Sequence, residues 1–205
     1  MKNFPDTIPV FPLSGVIYFP KTNLPLNVFE PRYLNLVNDA YKKDKLMGMV
    51  QSKKEGKNVY QVGCLGKISD YQKNKDGRLL INLTGICRFK IIEEISNNKL
   101  YREFKVDYKD FIDDIKISKN EIETFSLMEK AKNFFKRNGL LLNWKEFEKL
   151  DLSQRINTLA MISPVTNEEK QKLLESVSTK EKVDTLESII SFYLYETSLN
   201  NQTIQ

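Results

Sequence analysis

Residues able to do chemistry are few in this chain, and their spacing narrows the choices further. There is no histidine among the 205 residues, which removes Ser-His-Asp and Cys-His catalysis together with the commonest zinc ligand. The two cysteines, Cys64 and Cys87, lie in stretches that read as strands and lack CxxC spacing, so they read as buried thiols in a reducing compartment. Gly63-Cys64-Leu65-Gly66-Lys67 approaches a phosphate-binding loop. That loop needs glycine at 61 and a hydroxyl residue at 68, where the chain has Gln61 and Ile68. The acid pairs Glu93-Glu94 and Asp113-Asp114 have nothing convergent around them and read as solvated surface or linker. A Ser-Lys dyad is left open by composition, since both residues abound. These residues point to no metal or cofactor site and to no histidine-based catalysis.

What remains is surface for binding, and its most specific stretch is Thr7 to Tyr33. Five of the seven prolines fall there, and Pro9, Pro12, Pro20 and Pro25 forbid helix. The segment is nonetheless rich in large apolar residues, so it reads as two strands, 7–13 and 24–29, around a turn at Ser14-Gly15 and a loop through Phe19-Pro20. Val16, Ile17, Tyr18 and Phe19 form an apolar run in that loop. Successive residues of an extended chain face opposite sides, so one or two of the four are expected at the surface as a small protein-binding patch. Pro31 suits the first position of a helix. Glu30 and Arg32 flank that helix start, the former through the helix dipole and the latter through an ion pair. The candidate peptide-binding residues are therefore Val16, Ile17, Tyr18, Phe19, Phe29, Arg32 and Tyr33.

The elements that must position these residues come in two kinds. Residues 31–43 carry a helical apolar stripe at Tyr33, Leu34, Leu36, Val37, Ala40 and Tyr41. Strands are then expected over 46–52, 59–71, 78–95 and 100–108. Gly63 and Gly66 suggest a bend in the second of these and Gly85 a break in the third. Glu55-Gly56-Lys57-Asn58 and Asn74-Lys75-Asp76-Gly77 read as turns, the latter a hairpin signal because Asp-Gly supplies positive φ. From Lys109 to Lys119 the chain is charged and aperiodic. Beyond it everything reads as helix: a stripe at Ile122, Phe125, Met128, Ala131 and Phe135 ended by Asn138-Gly139, a helix through Leu152, Ile156, Leu159 and Met161 ended by Pro164, a third opened by the capping box Thr166-x-x-Glu169 and including Val177, and a last one carrying Ile189 to Tyr195. The expected domains are 1–113, mostly β, and 114–205, helical.

Pro9-Val10-Phe11-Pro12-Leu13, Phe19-Pro20, Leu24-Pro25-Leu26 and Phe29-Glu30-Pro31-Arg32-Tyr33 together resemble the opening of the LON domain, the N-terminal substrate-binding domain of Lon proteases. Val62-Gly63-Cys64-Leu65-Gly66-Lys67-Ile68, Asp76-Gly77-Arg78-Leu79 and Gly85-Ile86-Cys87-Arg88-Phe89 look like later strand motifs of that family. Lys21 departs from it, standing where the family often has glycine after Phe-Pro. The resemblance implies an α+β fold, a PUA-like mixed pseudo-barrel with one helix followed by a small helical bundle. It also implies a bacterial, stand-alone, non-enzymatic module that binds unfolded or extended polypeptide, alone or with a protease or chaperone complex.

Charge and hydropathy bound the alternatives. Lys+Arg 32 against Asp+Glu 27 gives a net +5 spread over a mixed-sign surface. No stripe of Lys/Arg interleaved with aromatics appears, which argues against nucleic acid. An RNA-binding PUA-like protein and a structural subunit of a larger complex are the alternatives. Pro5 and Asp6 interrupt any signal-peptide core, and no apolar run approaches the ~18 residues of a membrane span, so a soluble cytoplasmic protein is expected.

Overall fold

A computed structural model of the chain describes residues 4–53, 58–116 and 122–202, with side chains to Glu196. The expected turn at Glu55-Gly56-Lys57 and residues 117–119 of the expected junction lie outside them. Two compact units emerge, Met1–Ile117 and Ser118–Gln205.

The first unit follows the proline-directed opening. Strand β1 (Thr7–Leu13) and β2 (Asn23–Val28) are separated by an irregular loop, and α1 (Pro31–Lys42) starts with proline at its first turn. Then come β3 (Leu46–Gln51), β4 (Val62–Lys73), β5 (Leu79–Ile95) and β6 (Arg102–Asp107). Asn74 to Gly77 makes the β4–β5 turn, with Gly77 at φ 87. The strands run β2-β5-β4-β3-β1-β6, and β6 pairs back onto the second half of β5. Five strands thus close a ring, while β2 lies against the first half of β5. Gly85 does not break β5, which runs unbroken for 17 residues; the register shifts beside Gly85 and again at Ser69.

Ring closure places Ile8, Val10, Val50, Leu65, Phe89, Ile91, Phe104 and Val106 in one buried cluster inside it. Across the sheet, α1 buries Tyr33, Leu36, Val37 and Ala40, the face its sequence period marks. Tyr33 stacks on Phe11 with centroids 3.8 Å apart and donates its hydroxyl to the Pro12 carbonyl at 3.1 Å. Residues 109–115 form a 3₁₀ helix, burying Phe111 and Asp114.

The second unit packs α2 (Phe125–Arg137), α3 (Trp144–Phe147), α4 (Leu152–Ile162), α5 (Asn167–Glu175) and α6 (Thr179–Gln202). The buried face of α2 is Leu127, Ala131, Phe134 and Phe135, whereas Phe125 stands in solvent. This corrects the expected stripe, because the helix starts three residues later and its apolar residues follow a different phase. The capping box of α5 forms with both of its hydrogen bonds, and Val177 falls outside the helix and is exposed. The short α3 carries no clear period in sequence; it exists because Trp144 and Phe147 pack on each other and Trp144 on Phe135.

One contact locks the first unit. Phe19-Pro20-Lys21-Thr22 is a turn closed by Thr22 N–H to the Phe19 carbonyl, with Lys21 at φ 60, the signature of a type II turn with proline second. A Cβ on Gly85 would overlap the carbonyl oxygen of Phe19. Gly85→Ala is expected to lower unfolding stability by about 3 kcal/mol, since the obstruction is backbone and cannot swing aside. Lys21→Gly should raise it by about 0.5–1 kcal/mol, the ~1–2 kcal/mol cost of a left-handed side-chain residue less the entropy of glycine. Urea titration of both variants checks the pair; a neutral Gly85→Ala would contradict the contact.

Candidate functional site

Of the four loop residues expected to place one or two side chains at the surface, none is exposed. Ile17, Tyr18 and Phe19 are 3 %, 2 % and 0 % exposed, and Val16 is half-buried. The alternation argument fails because residues 16–19 have no strand geometry, and two glycines make room for them. Gly66 leaves space for Tyr18, whose hydroxyl lies 2.7 Å from where a Cβ would stand, and Gly85 admits Phe19. Burial pushes the Tyr18 phenol far up, with Cys64 nearby adding to the effect. Tyr33 is buried as well. Of the candidate residues, Phe29 is 62 % exposed and Arg32 is in solvent, where it pairs with Glu30 at 2.8 Å and lies over the Tyr33 ring at 4.5 Å. The ion pair expected for Arg32 is thus present.

Glu93, Glu94 and Asp113 are solvent-exposed, as expected, and Asp114 is buried. Glu94 binds Arg102 at 2.7 Å and Glu93 faces Lys105 at 3.6 Å, both across strands. Asp114 is not solvated linker: it is 8 % exposed and takes Arg88 Nη2 at 2.8 Å, Arg88 Nε at 2.9 Å and the Arg88 backbone N–H at 2.9 Å. Arg88 also lies over Phe111 at 4.4 Å. A charged, aperiodic stretch gave no sign of this, because its partner is 26 residues away in a strand. Cys64 and Cys87 pair with Arg88 and Leu65 respectively, which puts them on opposite faces of the sheet, so they are not a dithiol. Burial and the neighbouring Asp114 push the Cys87 thiol up to about 12. Among the described residues no cluster of three metal-ligating side chains occurs, and no helix is long and apolar enough to cross a membrane.

What the fold leaves open is one face of a three-stranded arm. Pairing puts Lys67 opposite Leu46 and Thr84, while Leu65, two residues earlier on β4, lies in the ring interior. Side chains alternate along a strand, so Lys67 and Thr84 stand on the continuation of the ring's inner face. There β4, β5 and β2 run on beyond the ring. On this face Thr84 donates to Asn23 Oδ1 at 2.8 Å, and Ser69 and Asn82 bond reciprocally at 3.1 Å. Further along, Leu80 opposite Asn27 is 40 % exposed, and Phe29 follows at the strand end with Arg78 6.0 Å from its ring. At the ring mouth a cavity of about 770 Å³ is lined by Phe4, Leu46, Ile86, Lys67, Ser69 and Thr84 among others.

The edge of β2 completes this surface. Gly85 N–H donates to the Thr22 carbonyl, so alternation turns the backbone of Leu24, Leu26 and Val28 towards β5 and that of Asn23, Pro25 and Asn27 outwards. Pro25, which has no N–H, is tolerated because it occupies an outward position. No strand pairs with that outer edge among the described residues.

This assembly of a strand ring, an open arm and a helical unit defines a class of protein already seen in crystals. The fold matches the Lon N-terminal domain protein of Xanthomonas campestris with a TM-score of 0.67 at 20 % identity, over 88 % of this chain and 96 % of that one. It matches the N-terminal domain of the Mycobacterium avium complex Lon protease with a TM-score of 0.67 at 18 % identity, over 90 % and 98 %. The family model of the ATP-dependent protease La (LON) substrate-binding domain covers residues 7–191, and the chain belongs to that family. Lon protease of Syntrophus aciditrophicus is 26 % identical over 206 residues, and that of Cytophaga hutchinsonii 27 % over 185. These alignments take in 93 % and 85 % of this chain but 25 % and 22 % of the relatives, so the chain spans about a quarter of their length.

The buried ion pair yields a direct test. Asp114→Ala leaves the Arg88 guanidinium buried without its carboxylate and is expected to cost about 3–5 kcal/mol in unfolding stability. Thermal and urea melts measure this. A loss under about 1 kcal/mol, the value of a surface pair, would contradict the burial.

Proposed function

We propose that this domain binds unfolded or extended polypeptide along the open face of the β4–β5–β2 arm. It is itself non-catalytic and holds clients for a proteolytic machine. The observation that carries the reading is that the ring's inner face continues into solvent, where Leu80 and Phe29 stand uncovered at one end and an apolar mouth lies at the other. Between these anchors, Asn23 and Asn82 keep side-chain amide N–H groups beyond their bonds with Thr84 and Ser69, and the β2 edge offers backbone groups. An extended chain needs both: backbone pairing for affinity independent of sequence, and spaced apolar contacts for preference. The family description, a substrate-binding domain of an ATP-dependent protease, points the same way.

The site residues of the reading are Phe29, Arg32, Leu80 and the β2 edge. Val16 to Phe19 act indirectly, by pinning the start of β2 to Gly85. Affinity should be modest, roughly micromolar or weaker, because the face is small and ordering the peptide offsets much of the gain.

Reduced, carboxymethylated α-lactalbumin is a suitable permanently unfolded probe, titrated by fluorescence anisotropy at about 50 and 200 mM salt. The Phe29→Ser/Leu80→Ser double variant should bind at least tenfold more weakly while still melting cooperatively as a folded protein. Burying large apolar side chains contributes about 1.5–3 kcal/mol each, and both present exposed surface, 62 % and 40 %, to a ligand. Wild-type binding should vary little with salt. Binding untouched by the double variant would overturn the placement, and tight binding of single-stranded RNA that collapses with salt would overturn the reading in favour of nucleic acid.

A further inference from the structure

We infer that the cavity at the ring mouth captures the C-terminal residue of a polypeptide, taking its apolar side chain on the floor and its α-carboxylate at Lys67. The inference rests on the polypeptide-binding reading and specifies which part of a client this end of the face accepts.

The floor is apolar and shaped by the register. Leu46 and Phe4 pack against the ring cluster from its open end. Ile86 is the residue skipped where β4 and β5 change register, with Leu65 opposite Cys87 and Gly66 opposite Gly85, and it is half-buried at the cavity wall. A cavity of about 770 Å³ falls within the roughly 300–1,000 Å³ of small-ligand pockets, ample for one terminal residue.

The charge beside this floor is positive and unspent. Lys67 is exposed and has no ion pair or side-chain hydrogen bond among the described residues. Two other charges line the cavity: Asp44, whose carboxylate accepts the Leu46 N–H at 3.0 Å and keeps its charge, and Lys45, whose ammonium lies 4.7 Å over the Tyr41 ring. The hydroxyl protons of Ser69 and Thr84 are committed to Asn82 and Asn23. The two lysines outweigh the one carboxylate, and of the two Lys67 is the one whose ammonium has no ring or ion-pair contact among the described residues, so an anion is drawn to Lys67.

The geometry of an extended chain then selects the occupant. An apolar side chain on the floor and an anion at Lys67 must come from nearly the same place. In an extended peptide the next residue's side chain points to the opposite side, and the one after lies about 6.8 Å further along. A terminal residue carries its carboxylate on the same Cα as its side chain, so it meets both features without calling on a second residue.

The test uses a fluorescein-labelled hexapeptide ending in leucine, as free acid and as C-terminal amide, against wild type and Lys67→Met. The free acid should bind wild type about three- to tenfold more tightly than the amide, as fits a partly exposed charged hydrogen bond. In Lys67→Met the two should bind alike. An acid ending in alanine should bind more weakly than the leucine peptide. Equal binding of acid and amide by wild type, or a difference that survives Lys67→Met, would overturn the inference. Carboxymethylated α-lactalbumin, run alongside, separates the two claims. If it still binds while acid and amide are indistinguishable, terminal capture fails and polypeptide binding stands; if neither peptide nor α-lactalbumin binds, both fail.

Discussion

The close approach of two backbones at Gly85 is the constraint on which the first unit depends. Lys21 N–H donates to the Gly85 carbonyl at 2.9 Å, and Gly85 N–H to the Thr22 carbonyl at 2.9 Å, leaving no room for a side chain. That seam starts β2 in register with β5. It fixes which residues of β2 face inwards and which backbone groups point away from the sheet. It also draws Ile17, Tyr18 and Phe19 into the core, so the loop that looked like a binding patch is the fastener that builds the surface beside it.

A single long strand makes the rest possible. β5 is shared between two partners, β2 along its first half and β6 along its last residues, with β4 bridging the division. The ring therefore closes at one end and stays open at the other, and one face of sheet is core inside the ring and surface beyond it. Register shifts near Gly85 and Ser69 absorb the curvature this demands. The Arg88–Asp114 pair fastens the 3₁₀ helix to the edge of the same strand, between its pairings with β2 and β6. Buried charges of this kind specify one arrangement more than they stabilise it, because desolvation offsets much of the attraction.

Much of this was legible in sequence, for reasons that can be named. Proline spacing bounded β1 and β2 nearly to the residue, Pro31 marked the start of α1, and Thr166-x-x-Glu169 wrote its own capping box. Each of these signals is local. What escaped was non-local: the Asp114 partner and the inward turn of residues 17–19 each depend on residues far along the chain, whereas the closed pseudo-barrel was expected from the family resemblance and not from any local signal. The proposed face was missed for the same reason. Ser69, Asn82, Thr84 and Asn23 are unremarkable in sequence and become a row only through pairing. Exposed Leu80 differs from its buried neighbours Leu79 and Ile81 by strand parity alone. Lys21 was the exception that sequence flagged correctly, since the turn holds it in a conformation that glycine prefers.

The central claim is that polypeptide lies on the continuation of the ring's inner face. Amide chemical-shift mapping of the labelled protein, titrated with carboxymethylated α-lactalbumin, tests it most directly. The account predicts shifts concentrated at Asn23 to Phe29, Lys67 to Asp70 and Leu80 to Ile86, with the amides of α1 and α2 to α6 unmoved. Shifts centred on the outer side of α1 or on the helical unit, with those three stretches silent, would contradict it.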